Sequence, residues 1–402
     1  MTSRVPLMRV GARMDVKTMV RWAALLSGCL LFPAVAAAGS WRHSASLAVS
    51  GEYDSNVHLV ANDEESAWIG VVRPSYGLSW SDGRDSLELG GNVLFERSTE
   101  SVASDRNDPS VFLGWRRANP RGSVGLRVGY AKTSLRWFER AEPEEPQEEG
   151  PVVPDEPEAP VDDPRLYGRR GSREVGSVSL AWSHALAPRW TLGVDAGVRA
   201  VEQNSGNLPD YGEQNVAVSL AYELDPRSSV FTRASWIRND PDNRDDYYST
   251  SAVLGVSRRL SDNFNVSFDI GGNHRSPDGD GIHWQGGGAF GYRAQRLEVS
   301  GSLRRAITAS AYGGFVETDS ARLGLGYAMD DRTRLASHVN CRRARAAADS
   351  VLCGAGASVS RRLAPSWTGG LSYYYRLRDD EHAPTVHGHI VRLTVSYSWS
   401  SN

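Results

Sequence analysis

Lysine is nearly missing from this chain. Of 45 basic residues only Lys17 and Lys132 are lysine, so positive charge is carried almost entirely by arginine. Excess charge is missing as well: the formal net charge is −3, which argues against a nucleic-acid partner, because such proteins are strongly basic. Long apolar runs are few. The longest uncharged one is Trp22–Ala38, and no later segment approaches the roughly 20 residues that a membrane-spanning helix needs. Disorder of the whole chain is excluded by 40% hydrophobic and 9% aromatic residues.

That one apolar run has export flanks. Arg4, Arg9, Arg13, Lys17 and Arg21 precede Trp22–Pro33, and Ala36-Ala37-Ala38 provides a small-residue cleavage site. Residues 1–38 therefore read as a signal peptide and 39–402 as the mature chain, with Met14 a possible alternative start. A cytosolic enzyme is disfavoured. The alternatives are a short membrane anchor, for which the core is too short, and a lipoprotein signal, because Leu26-Ser27-Gly28-Cys29 resembles an acylation site. Cleavage leaves Cys341 and Cys353, six residues either side of Ala347. In an oxidising compartment a hairpin turning there would set the two face to face, and a disulfide is expected.

Period-two alternation dominates from residue 41 onward. Leu192, Val194, Ala196 and Val198 alternate with small or charged residues, as do Val216 to Tyr222, Phe264 to Ile270 and Leu393 to Trp399. No stretch of comparable length has a helical period. Short turns such as Ser81-Asp82-Gly83-Arg84 and Asn119-Pro120-Arg121-Gly122 alternate with longer polar loops. Eight turns and nine loops give eighteen strands, with sixteen as the alternative. A soluble sandwich or propeller has no reason to keep such asymmetry through the whole chain. The fold expected is all-β: a transmembrane antiparallel up-and-down barrel of an outer membrane, its termini and short turns periplasmic. Aromatics on the apolar face cluster towards both strand ends, as two interfacial girdles require. The final Leu393-Val395-Tyr397-Trp399 pattern is similar to the signal read by the barrel-insertion machinery, although three residues follow Trp399.

A barrel this wide encloses water. Strand parity places Arg73, Arg116, Arg127, Arg199, Arg233, Arg293, Arg304, Arg322, Arg362, Arg376 and Arg392 inward as pore-lining residues, against Glu88, Glu96, Asp195, Glu223, Asp269 and Glu298. Such a wall favours anions, unless the arginines merely pair with the acids and hydrate the wall. Residues 141–163 hold ten carboxylates, six prolines and no basic residue, the composition of a disordered acidic loop on the extracellular side. It could gate anions, bind divalent cations loosely, act as a spacer, or be a surface loop without a dedicated task. No catalytic constellation stands out. His283 and His338 read inward, and His387 and His389 lie on one face without a third ligand, so neither metal, cofactor nor enzymatic chemistry is expected.

The opening strand Gly51-Glu52-Tyr53-Asp54-Ser55-Asn56 resembles the Tyr-Asp-(Ser/Asp)-Asn first-strand motif of a broad family of β-barrel porins often encoded with exopolysaccharide synthesis systems. The closing hairpin with Tyr373-Tyr374-Tyr375-Arg376 and the last strand look similar too. The resemblance implies a bare outer-membrane conduit, set in lipid, that secretes an anionic exopolysaccharide with a periplasmic polysaccharide-export protein and an inner-membrane synthesis system. No plug, periplasmic repeat or passenger domain is legible, which sets aside siderophore-type transporters, repeat-bearing secretion barrels and autotransporters. A general diffusion porin for small anionic solutes is the alternative, and a structural or adhesion barrel is a third reading.

The signal reading makes a direct prediction. Intact mass of the protein extracted from outer membranes should correspond to a chain beginning at Gly39; a lipidated chain beginning at Cys29 would overturn it.

Overall fold

The computed structural model describes residues 39–99, 105–134, 171–204, 208–242, 244–277, 281–310, 312–345, 349–381 and 383–401. The signal segment 1–38 and the acidic segment 141–163 lie outside the described residues. Eighteen strands follow one another: β1 (Ser40–Asp54), β2 (Ala67–Ser81), β3 (Asp85–Ser98), β4 (Arg106–Asn119), β5 (Gly122–Ser134) and β6 (Ser172–Ala187). Next come β7 (Trp190–Asn204), β8 (Tyr211–Asp225), β9 (Ser228–Pro241), β10 (Tyr247–Ser261), β11 (Phe264–Ser276) and β12 (Ile282–Arg293). The last six are β13 (Leu297–Ala309), β14 (Phe315–Ala328), β15 (Thr333–Arg345), β16 (Ser350–Ala364), β17 (Trp367–Asp380) and β18 (Val386–Ser400). Each pairs antiparallel with the next in sequence, and β1 pairs with β18 from Ser44↔Ser400 to Asp54↔Ile390, so the sheet closes without an edge.

Closure and alternation together generate two surfaces. Residues in register across neighbouring strands share a face, and on one face these are Leu303, Leu323, Val339, Leu371 and Leu393. They are large, apolar and solvent-accessible, Leu303 at 67%. Such a face is stable only against lipid. Cross-strand aromatic pairs mark its two borders. Trp41–Trp80, Trp190–Tyr222 and Trp367–Tyr397 stand near the short-turn end, with centroids 6.3, 4.6 and 5.1 Å apart. Tyr53–Trp68, Trp236–Tyr248 and Tyr375–His389 stand near the loop end, at 5.2, 6.2 and 5.3 Å.

The short turns are held by local hydrogen bonds. Asp82 accepts from the backbone N–H of Asp85 and Arg84, and Asp330 from those of Arg332 and Thr333. These donors stabilise the ionised form and hold both carboxyl groups below the usual carboxylate range. Gly83 supplies the left-handed residue of its turn at φ 91°. The start of β1 and the end of β18 lie at this end, since Ser40 pairs with Ser81 and Ser44 with Ser400. On the lipid-facing side of the β15–β16 hairpin, Cys341 and Cys353 sit directly opposite, 4.1 Å apart at Cα, and are joined by a disulfide.

The two-surface arrangement can be tested within one strand. Leu303→Arg should lower unfolding free energy in lipid by about 2–4 kcal/mol, because it puts a charge at bilayer depth. Ser300→Arg, on the opposite face of β13, should change it by less than about 0.5 kcal/mol. Equal effects in a reversible unfolding assay would contradict the face assignment.

Candidate functional site

At mid-height the inner face holds most of the charge. All eleven sequence-assigned arginines share register with residues of this face. Glu52 is opposite Arg392, Ser302 opposite Arg322, and Gly114 opposite Arg127. Their heights differ. Arg73, Arg127, Arg199, Arg233, Arg304, Arg322 and Arg392 occupy the middle third of their strands, and the inward acids at their height are Asp195, Asp269, Glu213 opposite Arg199 and Glu52 opposite Arg392. Arg116, Arg293 and Arg362 lie towards the turn end, and Arg376 towards the loop end.

Several of these arginines are partly neutralised. Arg233 faces Asp195 at 3.3 Å, Arg304 donates to Asp269 at 3.2 Å, and Arg392 donates to Glu52 at 3.0 Å. Arg199 lies 3.5 Å from Glu213, and Arg293 shares Glu298 with Arg334. The Arg127 guanidinium rests on the Phe112 ring at 4.1 Å, a cation–π contact that leaves its charge uncompensated. Arg322 is exposed to the lumen and makes no ion pair or hydrogen bond among the described residues. Mid-height is therefore where positive charge exceeds negative, across a water-filled lumen with low-dielectric walls that strengthens the field.

Arg376 has another task. It is on the inner face but is closed off from the lumen, 1% exposed, against an Asp54 that is 0% exposed. Residues 55–66, the first loop, fold inward above it. Arg376 donates to Asp54 Oδ1 at 2.8 Å and to the Asn56 carbonyl at 2.9 Å. Asn56 then organises the loop. Its side chain accepts from Val60 N–H and donates to the Val60 and His387 carbonyls at 2.8 and 3.2 Å. Ser55 N–H donates to the His389 carbonyl, and Ser55 Oγ accepts from His389 N–H. Leu59 adopts φ 47°, a conformation unusual for leucine that its burial holds in place. Val57 packs on Ala67, Ile69, Val71 and Leu94, while Leu59 packs on Leu352 and Val386. Every one of these wall residues is on the inner face, so the loop covers β1–β3 and β16–β18 from within and narrows the lumen at its loop end.

The register adds inward arginines that parity reasoning missed: Arg42, Arg106, Arg173, Arg259, Arg275, Arg334, Arg342 and Arg378. They stand near strand ends, where sequence gives the boundaries poorly. The inward loop also left a trace in sequence. Ala67-Trp68-Ile69-Gly70-Val71-Val72 is apolar on both parities, which is unnecessary if one face is wet. His283 and His338 lie on the inner face, and His387 and His389 on the outer. Among the described residues no group of three metal-ligating side chains gathers.

A closed eighteen-stranded barrel with a lipid-facing apolar belt and a charged aqueous lumen defines the class: this is the outer-membrane β-barrel porin fold. Solved structures agree. The outer membrane protein opdK from Pseudomonas aeruginosa superposes with TM-score 0.51 at 13% identity, over 90% of this chain and 99% of that one. OccK2 (OpdF) from the same organism, in complex with glucuronate, gives the same values. No family model and no curated protein matches the sequence.

The buried ion pair yields a prediction. Arg376→Met strands Asp54 without its cation at a cost of about 3–5 kcal/mol, large enough to release the loop. Single-channel conductance should rise and a protease site within 55–66 should become cleavable. Unchanged conductance would show that the loop does not restrict flow.

Proposed function

We infer that this protein is a passive outer-membrane channel for small anionic solutes, with its termini and short turns in the periplasm. The observation that carries the reading is the mid-height wall, where seven arginines face four carboxylates. A guanidinium fork suits carboxylate or phosphate, and partial neutralisation by Asp195, Asp269 and Glu52 keeps each contact weak. Weak, repeated contacts are what conduction needs, since a solute must leave as readily as it enters. The glucuronate bound by OccK2 is an anionic solute of this size, which supports the choice.

The exopolysaccharide-export reading, with its periplasmic and inner-membrane partners, gains no support from the neighbours. The Tyr-Asp-Ser-Asn motif that pointed to it has a local explanation in this chain, since Asp54, Ser55 and Asn56 anchor the first loop. That inward loop also removes width that a polymer would use. The adhesion reading rested on residues 141–163, outside the described residues.

The test is reversal potential across a bilayer with a KCl gradient. Chloride should permeate in preference to potassium, and Arg322→Glu together with Arg127→Glu should reduce or reverse the preference. A cation-selective wild-type channel would overturn the reading.

A further inference from the structure

Among the described residues, eight arginines stand on the outer, lipid-side face of the strands, and six of them are matched by a carboxylate of the protein. Arg117 is held by Asp85 at 2.8 Å, Arg238 by Asp246 at 2.8 Å and Arg97 by Asp105 at 3.4 Å. Arg305 and Arg345 share Asp319, and Arg343 pairs with Asp349. The setting explains the pairing, since a cation at the edge of a bilayer needs a counter-charge. The exceptions are Arg258 on β10 and Arg361 on β16. Arg258 is two residues beyond Val256 and Arg361 two beyond Val359, so parity keeps both on the outer face. Both are exposed, and neither makes an ion pair or side-chain hydrogen bond among the described residues.

The two places are built alike. Each arginine lies at the turn end of its strand, opposite the first residue of a neighbouring strand: Arg258 faces Ser228 and Arg361 faces Thr333. The turn residue before that neighbour is an exposed arginine both times, Arg227 and Arg332. Its carbonyl accepts the backbone N–H of Arg259 or Arg362 at 2.7 and 2.8 Å, which fixes the turn against the strand that carries the outer-face arginine. Turn chemistry does not call for arginine there. Asp225 and Asp330 close these turns by accepting the N–H of Arg227 and Arg332, and any side chain could follow. The other local carboxylates are Asp262, 3.4 Å from Arg227, and Asp331 beside Arg332. An aromatic pair borders each place on the next strands, Phe264 with Tyr292 and Trp367 with Tyr397. Both places therefore lie level with the turn-end aromatic border, where hydrocarbon gives way to headgroups.

We propose that Arg258 with Arg227, and Arg361 with Arg332, are two seats for the phosphate of an anionic phospholipid in the leaflet at the turn end. The guanidinium forks take the phosphate oxygens, and the net negative charge of the lipid suits two cations. Its acyl chains run along Val256 and Phe268 at one seat, and along Val359 and Leu371 at the other. The protein omits here the carboxylate that it gives to every other outer-face arginine, and the membrane supplies the anion. The choice of a phospholipid over a phosphorylated glycolipid rests on the proposed orientation, with the short turns periplasmic. Solute passage uses none of these residues, so this proposal and the channel reading fail separately.

The experiment is native mass spectrometry of the detergent-purified channel titrated with phosphatidylglycerol or phosphatidylcholine. One arginine near a membrane surface changes affinity for anionic lipid by about fivefold. Wild type should therefore bind phosphatidylglycerol at least about fivefold more tightly than phosphatidylcholine. Arg258→Gln/Arg361→Gln should remove the preference, and Arg322→Gln, in the lumen, should leave it as in wild type. Equal affinity for the two lipids in wild type overturns the proposal with no variant involved. So does a preference that survives the double variant, or one that falls equally with Arg322→Gln. A further titration adds lipopolysaccharide to the channel loaded with phosphatidylglycerol, and no displacement is expected. Displacement from wild type but not from the double variant overturns the phospholipid assignment and the orientation with it, while leaving the anion channel untouched.

Discussion

Everything in this molecule depends on backbone hydrogen bonds that have nowhere else to go. Within hydrocarbon an unpaired N–H or C=O costs several kcal/mol, so a sheet in lipid must close on itself. The β1–β18 pairing does this, running eleven residues from Ser44↔Ser400 to Asp54↔Ile390. Once it forms, every strand has two neighbours and each side chain is committed to lipid or to the lumen. The apolar belt, the aromatic borders and the inward arginines all follow from that one commitment.

The same seam anchors the first loop. Asp54 is the last residue of β1, and Arg376 lies on β17, two strands away across the closure. Their ion pair is fully buried and hydrogen-bonded on both sides, the condition under which such a pair holds its geometry despite desolvation. Residues far apart in sequence thereby fix a loop that reshapes the lumen. The opening motif thus acts on lumen width through its backbone and carboxylate, while Tyr53 of the same motif packs against Trp68 on the lipid side. Alternation along four residues divides them between the two surfaces.

In the lumen, arginine and glycine divide the work. Arginine supplies charge that cannot be lost at any physiological pH, and its planar fork is pre-organised for oxyanions. Glycine supplies room: Gly354 and Gly356 take up Tyr374 and His338, and Gly255 lies beneath Phe231, so aromatic rings cover the wall without blocking it. On the proposed reading, selectivity is spread over many weak contacts rather than gathered in a single pocket.

The sequence by itself determined the strand number, the two-faced alternation, the turn end and loop end, and the parity of Arg127, Arg233 and Arg322. These depend on nearest neighbours along the chain, and a period of two reads directly as a face. It also brought Cys341 and Cys353 opposite each other, because a hairpin is a local structure. Only the tertiary structure decided that Arg376 is sealed beneath a loop, that Asn56, Val57 and Leu59 turn inward, and that His338 and Tyr374 share a trough in β16. Each of these depends on register between strands far apart in the chain and on curvature that brings their inner faces together. Parity says which side of the wall a residue is on, whereas closure of the barrel decides what else occupies that side.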